Sequence, residues 1–316
     1  MHKATKIQKK ATLSWCANLL AVLLLFLSTT CPAQRVIQYH HLLPLVNPAA
    51  MSESKATTVG LLGQYGLYGF DGAPQTVAMN ATIPFGSDNS SSNRRGGRGA
   101  YRSYRREEAV KKSYIGVSTL GNRVGVHQNV SALAGYGHKV RLGTETFLTF
   151  AFTAGAQVQS SNYAKAANEY VTDPAILQRI QNNPTLTSFA WQVGAYLHGN
   201  SYYASLFTSS VPAQEYGYLI GWRSQRERGW NIDLSTLGIY HASSSKYQQD
   251  INFMLRYNNG LSVGASFRSK KDVAYMGSIR LGQLRIGYAY QIFNFDSLLP
   301  THEILLRYTI MPKAED

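Results

Sequence analysis

Histidines, arginines and a few carboxylates are the side chains here that could carry chemistry, and their spacing argues against catalysis. His40 and His41 are adjacent but have no acidic neighbour. His127, His138, His198 and His241 lie far apart, and none stands beside a candidate nucleophile in sequence. The sequence contains no H-E-x-x-H and no phosphate-cradling glycine loop, so the residues read as non-enzymatic and call for no cofactor or metal. What remains is positive charge in two groups. Arg94, Arg95, Arg98, Arg102, Arg105, Arg106, Lys111 and Lys112 crowd one stretch tempered by Glu107 and Glu108 and rich in Ser and Gly. Such a run is either a solvated loop or an electrostatic dock for an acidic partner. Arg256, Arg280, Arg285 and Arg307 form the second group, with Asp233, Asp250 and Glu303 as candidate partners. They read as a cross-strand charge ladder or as an anion-selective constriction.

The elements that position these arginines follow a period of two. In 283–292, Leu284, Ile286, Tyr288, Tyr290 and Ile292 share one face, while Gln283, Arg285, Gly287, Ala289 and Gln291 share the other. Successive side chains of a strand point to opposite faces, so the segment has a greasy side and a polar side. The same rhythm recurs in 57–66, 74–84, 113–121, 127–141, 145–157, 187–198, 201–209, 215–224, 230–241, 247–257, 260–268, 272–281 and 301–310, about fourteen strands in all. An even number closes an all-β transmembrane antiparallel barrel. A soluble sandwich shows the same alternation, but arginines on the polar faces suit a wet lumen better than a dry inner layer.

Composition agrees. The 316 residues include 21 Tyr and 27 Gly, and only 15% are charged, against about 25% in soluble domains. Residues 1–33 read as a cleaved signal peptide: Lys3, Lys6, Lys9 and Lys10, then an apolar run over 13–27, then Cys31-Pro32-Ala33. A lipoprotein site at Cys31 is the rival, weakened by Ser28 where an apolar residue is expected. Removing four lysines and no acid takes the formal charge from +14 to +10, and both cysteines, Cys16 and Cys31, leave with the signal. Disulfides and thiolate metal sites are then excluded. The basic balance fits lipid phosphates or an acidic protein, not nucleic acid, because no recognition motif accompanies it.

The expected order is a periplasmic entry segment over 34–56, a barrel over 57–311 with a flexible basic insert at 86–112, and a tail at 312–316. Connections after even strands, such as Gly199-Asn200 and Asn258-Asn259, are short turns expected on the periplasmic side. The insert breaks that pattern by its length. A short helix is expected at 173–181, with Asp173 as its cap and Pro174 in its first turn.

Two motifs carry a resemblance. Gln38-Tyr39 leads to Asn47-Pro48-Ala49-Ala50 ahead of the first strand, and Gly69-Phe70-Asp71-Gly72-Ala73-Pro74 follows it. By itself the second reads as a turn, and the first as a cap, plug or ligand contact. Together they resemble the PorP/SprF family of Bacteroidetes, whose members begin with a Gln-Tyr and Asn-Pro-Ala run and carry a Gly-Phe-Asp-Gly-Ala-Pro turn. The likeness extends through 116–125 and the closing His302-Glu303-Ile304-Leu305-Leu306-Arg307-Tyr308. It implies an outer-membrane component of type IX protein secretion, in some bacteria linked to gliding motility. The implied role is an accessory scaffold docking periplasmic lipoprotein and peptidoglycan-binding components, and secreted adhesin or cargo domains. The alternative is a channel or transporter for small or hydrophobic molecules. The insert at 87–112 is longer than the family pattern leads one to expect, and the closing 310–316 lacks the terminal aromatic of many outer-membrane barrels.

Overall fold

The computed structural model describes residues 36–66, 72–87, 111–143, 145–161, 185–211, 213–226, 228–258, 260–268, 272–292 and 300–310. The signal peptide expected at 1–33, Gly69, Phe70, Asp71, the arginines of the basic stretch, the helix expected at 173–181 and the tail expected at 312–316 lie outside these residues.

Fourteen strands form one closed antiparallel barrel: β1 (Thr57–Gly66), β2 (Gln75–Ser87), β3 (Lys111–Val124), β4 (His127–Arg141), β5 (Phe147–Ser161), β6 (Thr185–His198), β7 (Tyr202–Ser209), β8 (Glu215–Arg223), β9 (Trp230–His241), β10 (Lys246–Tyr257), β11 (Leu261–Arg268), β12 (Val273–Leu281), β13 (Leu284–Ile292) and β14 (Thr301–Ile310). Each strand pairs with its neighbour in sequence, and β1 closes on β14 from Thr57↔Ile310 to Gly66↔Thr301. Closure satisfies every strand edge, which a bilayer requires because hydrocarbon offers no hydrogen bonds.

The two-residue period separates lipid from lumen. Along β2, Val77 is 49% exposed while its neighbour Ala78 is fully buried, and Asn80 and Thr82 are buried on the same inner face. Outward aromatics form two girdles. Phe85, Tyr202, Trp222, Trp230, Tyr257 and Tyr308 ring the end where β1 starts and β14 stops; Tyr65, Tyr216, Tyr240, Phe267 and Tyr275 ring the other. Such rings sit at the two membrane interfaces. The first is called the termini end below, the second the far end.

The wall is uneven. Strands β3 to β6 have 14 or 15 residues, whereas β7, β8 and β11 to β13 have 8 or 9. Since β7 meets β6 only up to Ser209↔Gln192, the extra length of β6 rises at the far end. The basic insert joins Ser87 to Lys111 at the termini end, among the tight turns. Both early strands are present, so no change of count moves it across.

One expectation is corrected. Residues 36–56, read as an entry segment outside the barrel, lie inside it. Ile37, Tyr39, Leu42, Leu43, Ala49, Ala50 and Met51 are all buried, and the lumen is where their apolar surface escapes water.

Candidate functional site

The inner segment descends the lumen from far end to termini end, tied to the wall at each level. At the top, Arg268 Nη2 donates to the Val36 carbonyl at 3.1 Å. The Glu303 carboxylate accepts from the backbone N–H groups of Ile37 and Gln38, both at 2.6 Å. Lower down, Asn252 Nδ2 donates to the Tyr39 hydroxyl, and His40 Nε2 shares a hydrogen bond with Ser235 Oγ at 3.0 Å. Arg307 Nη1 donates to the His41 carbonyl at 3.1 Å. At the bottom, Lys139 Nζ donates to the Ser52 carbonyl at 2.8 Å, and Thr149 Oγ1 to Ser52 Oγ at 2.7 Å.

Asn47-Pro48-Ala49 makes the bend between the two lower turns. Asn47 caps the 3-10 turn Pro48–Glu53 by accepting from the Ala49 N–H at 2.9 Å, and Pro48 fixes the first position. The Asn47 amide also donates to the Ala195 carbonyl at 3.2 Å, so one side chain both shapes the segment and anchors it to β6. Tyr39, Leu43, Ala49 and Ala50 join Tyr196, Tyr203, Phe207, Leu219, Leu237 and Ile239 in the largest apolar cluster.

Four wall glycines form its seats. A Cβ on Gly60 would stand 2.1 Å from Leu42 Cδ2, on Gly116 2.4 Å from Met51 Sδ, on Gly194 1.9 Å from Asn47 Oδ1, and on Gly287 2.2 Å from Gln38 Oε1. A glycine within a strand weakens it unless something must approach closely, and here the inner segment does. The sequence reading missed these seats. A glycine on the lumen side of an alternating strand is the signal that could have found them.

Charge is concentrated toward the termini end. Asp233, buried, accepts from Arg256 at 2.7 Å, Arg223 at 3.1 Å and the Tyr203 hydroxyl at 3.0 Å. Arg223 also reaches Glu53 of the inner segment at 3.1 Å. Glu53 and Arg223 were not singled out from sequence, because nothing local links positions so far apart. Of the four arginines expected in the lumen, Arg256 thus meets Asp233. Arg280, Arg285 and Arg307 stand at paired positions on three neighbouring strands. Arg285 donates to Ser278 Oγ at 2.8 Å and Arg280 to the Gly282 carbonyl at 3.0 Å. Asp250 lies instead 3.5 Å from Arg268, and Glu303 holds the inner segment's backbone.

Set against known proteins, the chain matches the family described as type IX secretion system membrane protein PorP/SprF over residues 33–308. The chain belongs to that family. It is a type IX secretion outer-membrane protein with a barrel fold. No curated protein matches it. Among solved structures, the toluene transporter TbuX of Ralstonia pickettii is similar at a TM-score of 0.50 and 6% identity, covering 84% of this chain and 93% of that one. Omp33 of Acinetobacter baumannii is similar at 0.47 and 11% identity, covering 81% and 98%. At such identities the likeness is one of fold alone.

Of the PorP/SprF turn residues, Gly72, Ala73 and Pro74 are described. Gly72 adopts φ +79°, and its carbonyl accepts from the Gly125 N–H at 2.8 Å, so the first far-end turn leans on the second. A Cβ there would stand 3.0 Å from Gly125 Cα. Positive φ and close approach together explain glycine at this point. In the basic insert, Lys111 and Lys112 open β3, and Arg94, Arg95, Arg98, Arg102, Arg105 and Arg106 lie outside the described residues.

Proposed function

We propose that this PorP/SprF barrel is a plugged scaffold rather than a conduit, docking other components of the secretion system at its termini end. The observation that carries the reading is residues 36–56 seated across the lumen by hydrogen bonds on many strands. A wall that grips a segment so widely is suited to transmitting contact, not to passing solute. The termini end is the periplasmic side in this reading, because an even strand number returns both ends of the barrel there. The basic run at 94–112 then faces the periplasm, where it meets an acidic surface on a periplasmic lipoprotein or peptidoglycan-binding partner. Clustered charge of one sign speeds such encounters. Secreted adhesin or cargo domains are further partners on the same reading.

Deleting 90–110 tests this directly. The barrel should keep its heat-modifiable mobility in gels, while co-purification of periplasmic secretion components falls and becomes insensitive to salt. Undiminished co-purification would overturn the docking role. Steady single-channel current from the intact protein in planar bilayers would favour the conduit.

A further inference from the structure

The rim of the barrel is notched at the far end. β6 pairs with β5 as far as Thr185↔Ser160, but β7 leaves it at Ser209↔Gln192. One further contact closes that side: the Trp191 N–H donates to Ser210 Oγ at 2.8 Å, and the Trp191 carbonyl accepts from the Ser210 N–H at 2.9 Å. The chain then turns away, since Val211 packs inward on Leu133 and Ala190. Among the described residues, 185–190 of β6 are therefore paired on one side only.

Backbone groups of successive residues in an antiparallel strand face alternate edges, and Trp191 fixes the phase. Thr185, Thr187 and Phe189 point both N–H and C=O at the open side, where no described residue takes them. Through the ladder, the girdle residue Tyr216 is matched to Thr208, and Thr208 to Val193. Phe189 and Thr185 lie beyond that match toward the rim, so water and not lipid bathes this edge. Exposed edges are ordinarily guarded by a charge, a proline or a bulge, because they pair with any strand that meets them. This one has no guard. Residues 185–191 read Thr-Leu-Thr-Ser-Phe-Ala-Trp, β-prone and uncharged, and their register with β5 is unbroken. Thr185 to Phe189 are all exposed, Leu186 at 61% and Phe189 at 69%.

We infer that the open edge of β6 is a docking site for an extended, uncharged segment of another polypeptide, added antiparallel to it as a further strand. Only a strand offers N–H and C=O groups in the matching alternation, so main-chain pairing supplies the affinity. The segment's outward side chains then stand beside Thr185, Thr187 and Phe189, which favours an apolar residue opposite Phe189. A second copy does not fit. In one bilayer its β6 runs in the same sense, so two such edges cannot meet antiparallel. The chain's own residues 162–184 make a poor strand, with the cap and spacing of a helix over 173–181. Polypeptide crossing this membrane is what the family's secretion system handles.

The test uses the full-length barrel in detergent and a capped, fluorescent Lys-Thr-Val-Thr-Phe-Thr-Val-Lys peptide in two N-methylated isomers. Methylation of the three threonines leaves the Val-Phe-Val edge free to pair; methylation of Val, Phe and Val blocks it. Fluorescence anisotropy should show one saturable site for the first isomer and at least about tenfold weaker binding of the second. Amide exchange at Thr187 and Phe189 should slow at least about tenfold when the first isomer is bound. Thr187→Pro removes an open-edge N–H without touching the β5 ladder, and Phe189→Lys guards the edge. Each should weaken binding at least about tenfold. Heat-modifiable mobility checks that both variants are folded. Equal binding of the isomers, no binding of either, or unchanged affinity in both variants overturns the site. So does slow exchange at Thr187 and Phe189 in the peptide-free protein. If that protection persists on dilution, residues 162–184 hold the edge; if it fades, a second copy does. Failure here leaves the scaffold reading untouched, because that rests on the basic insert at the opposite end.

Discussion

Glu303 does its work through two backbone contacts made 265 and 266 residues away along the chain. Replacing it with Ala strips the acceptor from two buried N–H groups, each worth about 1–3 kcal/mol when orphaned. Amide exchange at Ile37 and Gln38 should accelerate by at least about tenfold while the strands stay protected. The glycine seats give a second test. Gly194→Val or Gly116→Val drives a methyl group into Asn47 or Met51, an overpacking worth about 1–3 kcal/mol. Protease cleavage within 36–56 should rise with no loss of barrel mobility in gels.

At the level of elements, wall and inner segment differ in how they are written. Each strand carries its own period of two, so Leu284, Ile286 and Tyr288 declare a lipid face without reference to any other strand. The fourteen segments were legible for that reason. The inner segment has no such period. Tyr39, Leu42, Leu43, Ala49 and Met51 follow three short turns, and what buries them lies on strands far along the chain. Only the Asn-Pro-Ala cap was visible locally, and it left plug and ligand contact equally open. The polar faces of the strands grouped Arg256, Arg280, Arg285 and Arg307 in sequence, but the Arg223–Glu53 contact needs two elements brought together by closure. Deleting 37–52 should leave a closed barrel whose inner face is apolar along β6 to β9 but carries Gln64, Asn80, Thr82 and Ser131 on β1, β2 and β4, a polar side that water can wet. In planar bilayers this variant should conduct steadily where the intact protein does not.

For the molecule as a whole, the route of residues 36–56 limits how the structure can be built. Val36 is held by Arg268 at the far end, yet Thr57, where the wall begins, is at the opposite mouth and pairs at once with Ile310 of the last strand. The polypeptide thus traverses the interior before its first strand starts up the outside. Either the leading tip is pushed through a finished tube, or the sheet curls around a strut already in place and the seam between first and last strands zips afterwards. Both routes admit a slim leader and reject a wide one. A compact passenger fused directly ahead of residue 34 would have to be dragged through the bore or left stranded beyond the distal rim, and biogenesis would stall with the seam unsealed.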